Sequence, residues 1–436
     1  EGSTVLSGVT PSESYNRVNG LDPDDYAISA TDANVTLTTL SDARIIALTA
    51  GVGASGAFAA NFSGFGNVIT NRVEALIKDN STVKAGGNVE LKATDESSIT
   101  SIGLSIAAAG GVSISGIVGY NGIENTVRAQ ISGSTVEAGS NVSLTALSDA
   151  DIFSFVGGVA ASGVVSAQLS LSINEVDNTI EASIINETVN DIVYRSTVDA
   201  HEGNLSLTAT DSSTIDSIAI GLSASGYGAA GAAASKNFIG NEITTAITCS
   251  DVTSYGNVSL DANSPAIIRS FAAGIAASGF GSVNASLSLN KIANTVTSTI
   301  HDSTVAATLG NVSLSASDKA PADMAGYMDA MNVPGDIITS LLVCLDDSDA
   351  TVGQTANIVS IAASVAVSGW IGVSAAVATN TIDNTVSATI IDSEITSYYF
   401  DIIVNSESGS KIVTLAAGAG GGVLALNASL TANTIT

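Results

Sequence analysis

The chain has 436 residues, of which 45% are apolar but only 4% aromatic, and acidic residues outnumber basic residues 41 to 13, for a formal net charge of −28. Phosphate binding needs clustered Lys and Arg, so this balance argues against nucleic acid as a partner. No stretch reaches the roughly 18 consecutive apolar residues of a membrane-spanning helix, which argues against membrane insertion. The abundance of small and β-branched side chains favours closely packed sheets over an enzyme pocket built on aromatic groups.

The first part of the chain, residues 1–30, is predicted to be an irregular segment. It contains an acidic cluster, Asp22, Asp24 and Asp25. Such clusters are typical of solvated loops, and binding of a divalent cation stays open although EF-hand and RTX spacings are absent. The chain begins with Glu1 rather than Met, so we expect that a signal peptide has been removed and that the protein is exported.

A repeat of about 53 residues organises the rest of the chain. Its clearest marker is an asparagine whose successive copies are 54, 53, 63, 53, 90 and 53 residues apart. The copies are Asn67, Asn121, Asn174, Asn237, Asn290, Asn380 and Asn433. The two long intervals indicate insertions, one near residues 183–195 and one near residues 317–357.

Other features keep the same register. A second asparagine follows the first by four residues, and a third precedes a strand start; a Ser-Gly corner also recurs. The second series is Asn71, Asn125, Asn178, Asn241, Asn294 and Asn384; the third is Asn88, Asn141, Asn204, Asn257 and Asn311; the corner glycines are Gly56, Gly163, Gly226, Gly279 and Gly369. Agreement among independent markers makes a chance repeat implausible.

Apolar residues within a unit alternate with period two, as in Val127-Ala129-Ile131, which predicts half-buried strands. The stretches beside the Ser-Gly corner, such as residues 152–161 and 164–173, are richer in Ala, Val and Gly on both faces and are predicted to be buried on both sides. We predict about four strands per unit and an all-β solenoid of β-arches, with two long facing sheets, over residues 31–316 and 358–436. In-register stacking would align the first asparagine series, Asn67 to Asn433, into a ladder of side-chain hydrogen bonds.

The larger insertion, residues 317–357, contains all three methionines. Pro321 suits a first helical position, the methionines recur at helical spacing, and Pro334-Gly335 ends the run. The pattern predicts a small helical hairpin near residues 320–346. A methionine-rich stripe is more typical of a core or a subunit contact than of a cofactor site.

No constellation of catalytic, cofactor-binding or metal-ligating residues stands out. The only histidines, His201 and His301, lack any accompanying catalytic or zinc motif and are predicted to be solvated turn residues. Carboxylate pairs such as Asp95-Glu96 are interpreted as solvated charge. We therefore predict that the protein is not an enzyme and needs no cofactor.

Two kinds of covalent modification are open. Ten Asn-X-Ser/Thr sequons fit an exported glycoprotein; they are Asn34, Asn61, Asn80, Asn141, Asn186, Asn204, Asn257, Asn284, Asn311 and Asn427. Cys249 and Cys344 are too few for a disulfide scaffold. A bond within the chain, a bond between subunits and two free thiols all remain possible.

Units such as Asn290-Lys291-Ile292-Ala293-Asn294-Thr295-Val296, joined by Gly-Asn-Val-Ser-Leu turns, resemble the major sheath proteins of filamentous methanogenic archaea. This resemblance implies an amyloid-like β-arch subunit that joins itself through sheet edges into an S-layer-like sheath of the cell envelope. It implies no catalytic residue. Similar units also occur in leukotoxin-type filamentous adhesins of bacteria.

The expected function is that of an extracellular structural subunit that forms a homopolymer through its sheet edges and protects the cell as a sheath or fibre. The C-terminal stretch, residues 424–436, alternates like a strand and stops in mid-repeat, which favours completion by a second copy. One alternative is a repeat segment of a filamentous surface adhesin. A more distant alternative is a solenoid enzyme that acts on polysaccharides.

Overall fold

The computed structural model describes residues 3–11, 26–28, 32–189, 192–319 and 356–436. These residues contain strands and turns and no helix. Accordingly, the described part of the chain has no helix long and apolar enough to cross a lipid bilayer. The strands of successive repeats stack in parallel, which confirms the predicted all-β solenoid.

Each turn of the solenoid is here called a coil, and the first six coils contain five strands each rather than the predicted four. The first coil consists of β1 (Thr4–Ser7), β4 (Val35–Ser41), β5 (Arg44–Ser55), β6 (Phe58–Ile69) and β7 (Arg72–Ile77), with an antiparallel hairpin, β2 (Val9–Pro11) and β3 (Tyr26–Ile28), after β1. The second coil is β8 (Thr82–Ala85), β9 (Val89–Asp95), β10 (Ser98–Ala109), β11 (Val112–Ile123) and β12 (Thr126–Ser132). The extra element is a four-residue strand, too short to show a period of its own.

The next two coils flank the smaller insertion. The third coil is β13 (Thr135–Ala138), β14 (Val142–Ser148), β15 (Asp151–Ser162), β16 (Val165–Val176) and β17 (Thr179–Ile185). It is followed by a hairpin of β18 (Glu187–Val189) and β19 (Ile192–Tyr194). The fourth coil is β20 (Ser196–Ala200), β21 (Leu205–Asp211), β22 (Thr214–Ser225), β23 (Gly228–Ile239) and β24 (Glu242–Thr248). The hairpin leaves the stack between β17 and β20. The coil therefore continues in register despite the longer repeat.

Three further coils complete the array. The fifth is β25 (Ser250–Ser254), β26 (Val258–Asn263), β27 (Ile267–Ser278), β28 (Gly281–Ile292) and β29 (Thr295–His301); the sixth is β30 (Thr304–Ala307), β31 (Val312–Lys319), β32 (Ile358–Ser368), β33 (Ile371–Ile382) and β34 (Thr385–Ile391); the seventh is β35 (Glu394–Ser397), β36 (Ile402–Gly409), β37 (Ile412–Gly421) and β38 (Leu424–Ile435). Strand β31 runs to Lys319, and the residues predicted to form the helical hairpin lie outside the described residues.

Equivalent strands form five parallel sheets, numbered 1 to 5 in the order in which a coil visits them: the β1, β4, β5, β6 and β7 series. Sheets 1 to 4 each have seven described strands and sheet 5 has six. Residues at the same repeat position are paired, as Asn121 is with Asn67 and Asn174. Thr4–Ser7, inside the N-terminal segment, add a strand to sheet 1 by pairing with β8.

Sheets 1, 2 and 5 enclose the main apolar core, and we call this part of the molecule the prism. In the second coil its interior receives Val83 from sheet 1, Leu91 from sheet 2 and Val127 from sheet 5. The corresponding residues of the neighbouring coils continue the same core. The period-two pattern therefore located the prism interior correctly.

Sheets 3 and 4 fold back on each other at the Ser-Gly corner, and we call this part the arch. The interior of the arch is largely polar, with serine pairs across it such as Ser154–Ser172 and Ser270–Ser288, each with 2.8 Å between the Oγ atoms. The outer faces carry apolar side chains that remain exposed, Leu169 at 45% and Ile275 at 46%. The prediction that the corner strands are buried on both sides is thus wrong for the described part of the chain, in which no element covers their outer faces.

Candidate functional site: side-chain ladders and open strand edges

The first asparagine series forms a continuous ladder inside the arch. In each rung the side-chain Nδ2 donates to Oδ1 of the asparagine in the next coil, over 2.7–2.9 Å. The ladder joins Asn67, Asn121, Asn174, Asn237, Asn290, Asn380 and Asn433. Its donors all point towards the C-terminal end of the stack, so the ladder has a direction.

The second series holds the corner between sheets 4 and 5. Here the backbone N–H of each asparagine donates to the side-chain Oδ1 of its counterpart in the next coil, over 2.7–2.9 Å. The series runs through Asn71, Asn125, Asn178, Asn241, Asn294 and Asn384. The amide groups thereby satisfy backbone donors at a corner where the strand ladder is interrupted.

A third ladder lies at the corner before sheet 2 and has the opposite direction. The backbone N–H of each member donates to Oδ1 of the member in the preceding coil, over 2.7–3.0 Å. It begins at Asn34 and continues through the series already recognised at the strand starts, Asn88, Asn141, Asn204, Asn257 and Asn311. Asp401 takes the last position and donates its N–H to Asn311 over 2.9 Å. The sequence analysis identified these asparagines only as residues that precede strand starts. Their regular spacing is the signal that indicates a ladder.

Serine and aspartate alternate along one column at the corner between sheets 2 and 3. The column is Ser41, Asp95, Ser148, Asp211, Ser264, Asp318 and Ser408. All three aspartates are fully buried. Strands are about 4.8 Å apart, so alternation places these carboxylates about 10 Å from one another rather than in adjacent rungs, where they would repel. The prediction that Asp95 is solvated is therefore wrong.

Each buried carboxylate is held by hydrogen bonds. Ser213 Oγ donates to Asp211 Oδ1 over 2.6 Å, and Asn241 Nδ2 donates to Asp211 Oδ2 over 2.7 Å. Burial raises the pKa of Asp211 to about 6, although both hydrogen bonds oppose that rise. Burial also raises the pKa of Asp318, whose carboxylate accepts a hydrogen bond from Asn384.

The buried Asp211 predicts that acidification stabilises the fold. The folded state binds the Asp211 proton more tightly than the unfolded chain does, because the pKa rises from 3.8 to about 6 on folding. The free energy of unfolding should therefore decrease as pH rises from about 4.5 to about 7.5, by ~2 kcal/mol from this group. Urea unfolding followed by circular dichroism at about pH 4.5 and about pH 7.5 measures the change.

The chain itself supplies the control for that measurement. The preceding coil has Ser148 and Ala150 where this coil has Asp211 and Ser213. The double variant D211S/S213A copies the neighbouring rung and should show a smaller pH dependence by the amount assigned to Asp211. An unchanged pH dependence would show that Asp211 does not contribute.

The seventh coil presents a backbone edge that no described strand pairs with. Every residue of β36 and β38 is exposed. Strands β34 to β38 contain no proline and no lysine, the residues with which soluble proteins commonly blunt such edges. In β38, the N–H groups of Leu424 and of the adjoining Thr436 bond to sheet 4, so alternation points the N–H groups of the odd-numbered residues outward.

The ends of the two directional ladders match each other. Asn433 Oδ1 accepts from Asn380 and Thr414, and among the described residues its Nδ2 has no acceptor. At the opposite end Asn67 donates to Asn121, and in the same set of residues its Oδ1 has no donor. The first end therefore offers the donor that the second end accepts.

The residues considered for chemistry are not brought together. His201 Nδ1 lies 3.3 Å from Asp199 Oδ2 at an exposed turn, and His301 lies at the end of β29 on the next coil. Within the described ranges, no three His, Cys, Asp or Glu side chains are arranged to hold a metal ion. Cys249 Sγ donates to Asp302 Oδ2 over 3.3 Å. Cys344 and the acidic cluster Asp22 to Asp25 lie outside the described residues.

The sequons occupy contrasting environments. Asn284 is 1% exposed and its Nδ2 donates to Ser364 inside the arch over 2.7 Å, so a glycan has no space there. Asn61 Nδ2 likewise donates to Ser105 within the arch. Asn80 is exposed at a corner with a positive φ of 56°. The others are ladder members Asn34, Asn141, Asn204, Asn257 and Asn311, the half-buried Asn186 and the edge residue Asn427. Glycosylation stays a prediction, and Asn80 is its best-placed site.

Comparison with known proteins found no matching protein family, no matching curated protein and no matching solved structure. The fold and the ladders are therefore the basis on which a function can be argued.

Proposed function

We propose that this chain is a structural subunit that polymerises edge to edge with copies of itself into an extracellular, amyloid-like sheath or fibre. The observation that carries the proposal is the parallel in-register stacking of whole coils, which presents exposed backbone along β36 and β38. An unpaired parallel edge of this kind is a template for another chain. The resemblance of the repeat units to archaeal sheath proteins supplies the setting at the cell envelope.

The direction of the ladders supports head-to-tail addition. A second copy whose first coil stacks on the seventh coil would place its Asn67 beside Asn433, and the donor Nδ2 would meet an acceptor Oδ1 as it does in every rung within the chain. In the third ladder, the Asp401 carboxylate would accept the N–H of the copy's Asn34, which continues that series with its own direction. A head-to-head contact would oppose like ends of both ladders.

The adhesin alternative is supported by a different feature. The tips of the arches carry an exposed aromatic row, in which the Tyr227 and Phe280 rings are stacked with centroids 4.9 Å apart and Phe280 and Trp370 with centroids 6.0 Å apart. Exposed aromatic faces are common in binding surfaces. An adhesin should be encoded by a longer reading frame with further repeats, so the length of the gene separates the two functions.

The proposed assembly is tested by negative-stain electron microscopy of the native material and of the purified chain. Fibres, rings or tubes that resist SDS are expected, because each added copy pairs several strands at once in the manner of a cross-β stack. Treatment with SDS before imaging provides the stability measurement. Discrete monomers at all protein concentrations would contradict the proposal.

A further inference from the structure

The outer face of sheet 3 has alternating ridges and grooves that run along the stack. One ridge is Leu48, Ile102, Phe155, Ile218, Phe271, Ile361 and Leu415, and the other is Val52, Ile106, Val159, Leu222, Ile275, Val365 and Ala419. Two columns of mostly smaller residues form the grooves beside the ridges. One is Ala50, Leu104, Gly157, Ile220, Ala273, Ala363 and Ala417, and the other is Ala54, Ala108, Ala161, Ala224, Ala277, Val367 and Gly421. None of these four columns contains a charged residue.

This face is too large to be ordinary exposed apolar surface. Sheet 3 has seven strands, so at about 4.8 Å between strands and about 7 Å between columns the face measures on the order of 800 Å². The largest apolar patch of a typical monomer is about 300–600 Å². The face instead matches the roughly 800 Å² that each partner contributes to a stable protein–protein interface.

The arch cannot bury these side chains by itself. Its interior is already filled by the asparagine ladder and by serine pairs such as Ser217–Ser235, with 2.7 Å between the Oγ atoms. The facing strands are also close: at Gly103 an added Cβ would clash with the Ile117 and Phe65 side chains of sheet 4. Among the described residues nothing covers the outer columns, so their burial has to come from outside the described coils.

We infer that the outer face of sheet 3 packs against the same face of a second copy of this chain. Two such faces about 10 Å apart can place the ridges of one between the ridges of the other, as in paired cross-β sheets. The columns follow the stacking direction, so in a polymer they continue from copy to copy. The contact joins two stacks side by side.

The charge distribution favours a second copy over a lipid surface. The chain has 13 basic residues against 41 acidic ones, a balance unsuited to anionic headgroups. The four columns of sheet 3 are uncharged; Asp216 and Arg269 lie on the same face outside them and form an ion pair, and the outer face of sheet 4 includes Glu175, Lys236 and Lys291. Face-to-face packing thus adds a second contact to the proposed edge-to-edge contact, and it does not depend on that contact.

The test introduces charge on the ridges of sheet 3. Ile106 and Ile275 are already 38% and 46% exposed, so I106K/I275K should keep the fold and its thermal unfolding midpoint. The matched control V118K/V283K alters side chains that are 44% and 52% exposed on the outer face of sheet 4. Scanning transmission electron microscopy should give polymers of I106K/I275K with half the mass per length of the wild type, and the control should equal the wild type.

Failure of the face contact and failure of the edge contact give different results. If polymers form but the wild type and I106K/I275K have the same mass per length, the face contact is overturned while edge assembly stands. If no polymers form, sedimentation should still show a wild-type dimer that I106K/I275K converts to a monomer. A lipid surface is tested by flotation with phosphatidylcholine vesicles. If the wild type floats, I106K/I275K does not, and no self-association through this face is found, the inference is overturned in favour of a lipid surface.

Discussion

The double variant S429P/T431P is expected to stay folded and to lose polymerisation. Ser429 and Thr431 lie in β38, and their odd-numbered N–H groups point to the open edge rather than to sheet 4. Proline removes those two donors and places ring carbons where the next strand would approach. Two backbone hydrogen bonds contribute about 1 kcal/mol each, so the loss of donors alone weakens the junction by more than tenfold, and the ring clash weakens it further.

The control for this variant replaces the same two side chains but retains the backbone N–H groups. S429A/T431V should polymerise like the wild type, because alanine and valine leave both outward donors in place. The measurement is the pelletable fraction after ultracentrifugation, with circular dichroism to show that both variants are folded. Equal pelleting of the proline variant and its control would contradict edge-to-edge assembly through β38.

The second large effect is expected at the centre of the first ladder. Asn174 is 1% exposed, accepts from Asn121 over 2.8 Å and donates to Asn237 over 2.8 Å. Asn174→Ala removes both bonds, leaves the Asn237 oxygen without its donor in a buried site and opens a small cavity. We expect the free energy of unfolding to fall by about 3 kcal/mol.

A matched substitution at the end of the same ladder provides the comparison. Asn67 is half-buried in the first coil and makes one amide–amide bond, to Asn121. Asn67→Ala leaves the buried Asn121 oxygen without its donor but removes one amide–amide bond instead of two, so it should cost about 1–2 kcal/mol, less than Asn174→Ala, in a non-polymerising background such as S429P/T431P. Urea unfolding of both variants measures the difference, and equal costs would show that the ladder does not stabilise the buried coils.

Much of the fold could be predicted from the sequence because each coil repeats one set of local constraints. The spacing between Asn67 and Asn121 or between Asn121 and Asn174 fixes which residues pair, and parallel in-register stacking then follows for whole strands. The period-two pattern at Val127-Ala129-Ile131 identified a prism strand and its buried face. Burial of apolar side chains and satisfaction of asparagine amides agree at these positions.

Other features needed the assembled coils. A four-residue strand such as β8 has too few residues to show a period, so the fifth strand of the coil was not predicted. The alternation of Ser148 and Asp211 is present in the sequence, but its importance depends on complete burial beside the second asparagine series. Solvation is the usual state of a carboxylate, and only the corner between sheets 2 and 3 shows why Asp95 departs from it.

The sequence by itself determined the repeat, its register and the identity of the ladder residues, because these depend on spacing along the chain. Only the tertiary structure decided which face of each long strand lies inside the arch. Ser101 and Ser105 point inward and Ile102 and Leu104 outward, the reverse of what hydrophobicity alone would assign. The inward face must fit between two closely spaced sheets, so it takes the small and hydrogen-bonding side chains, and the larger apolar ones are left on the surface.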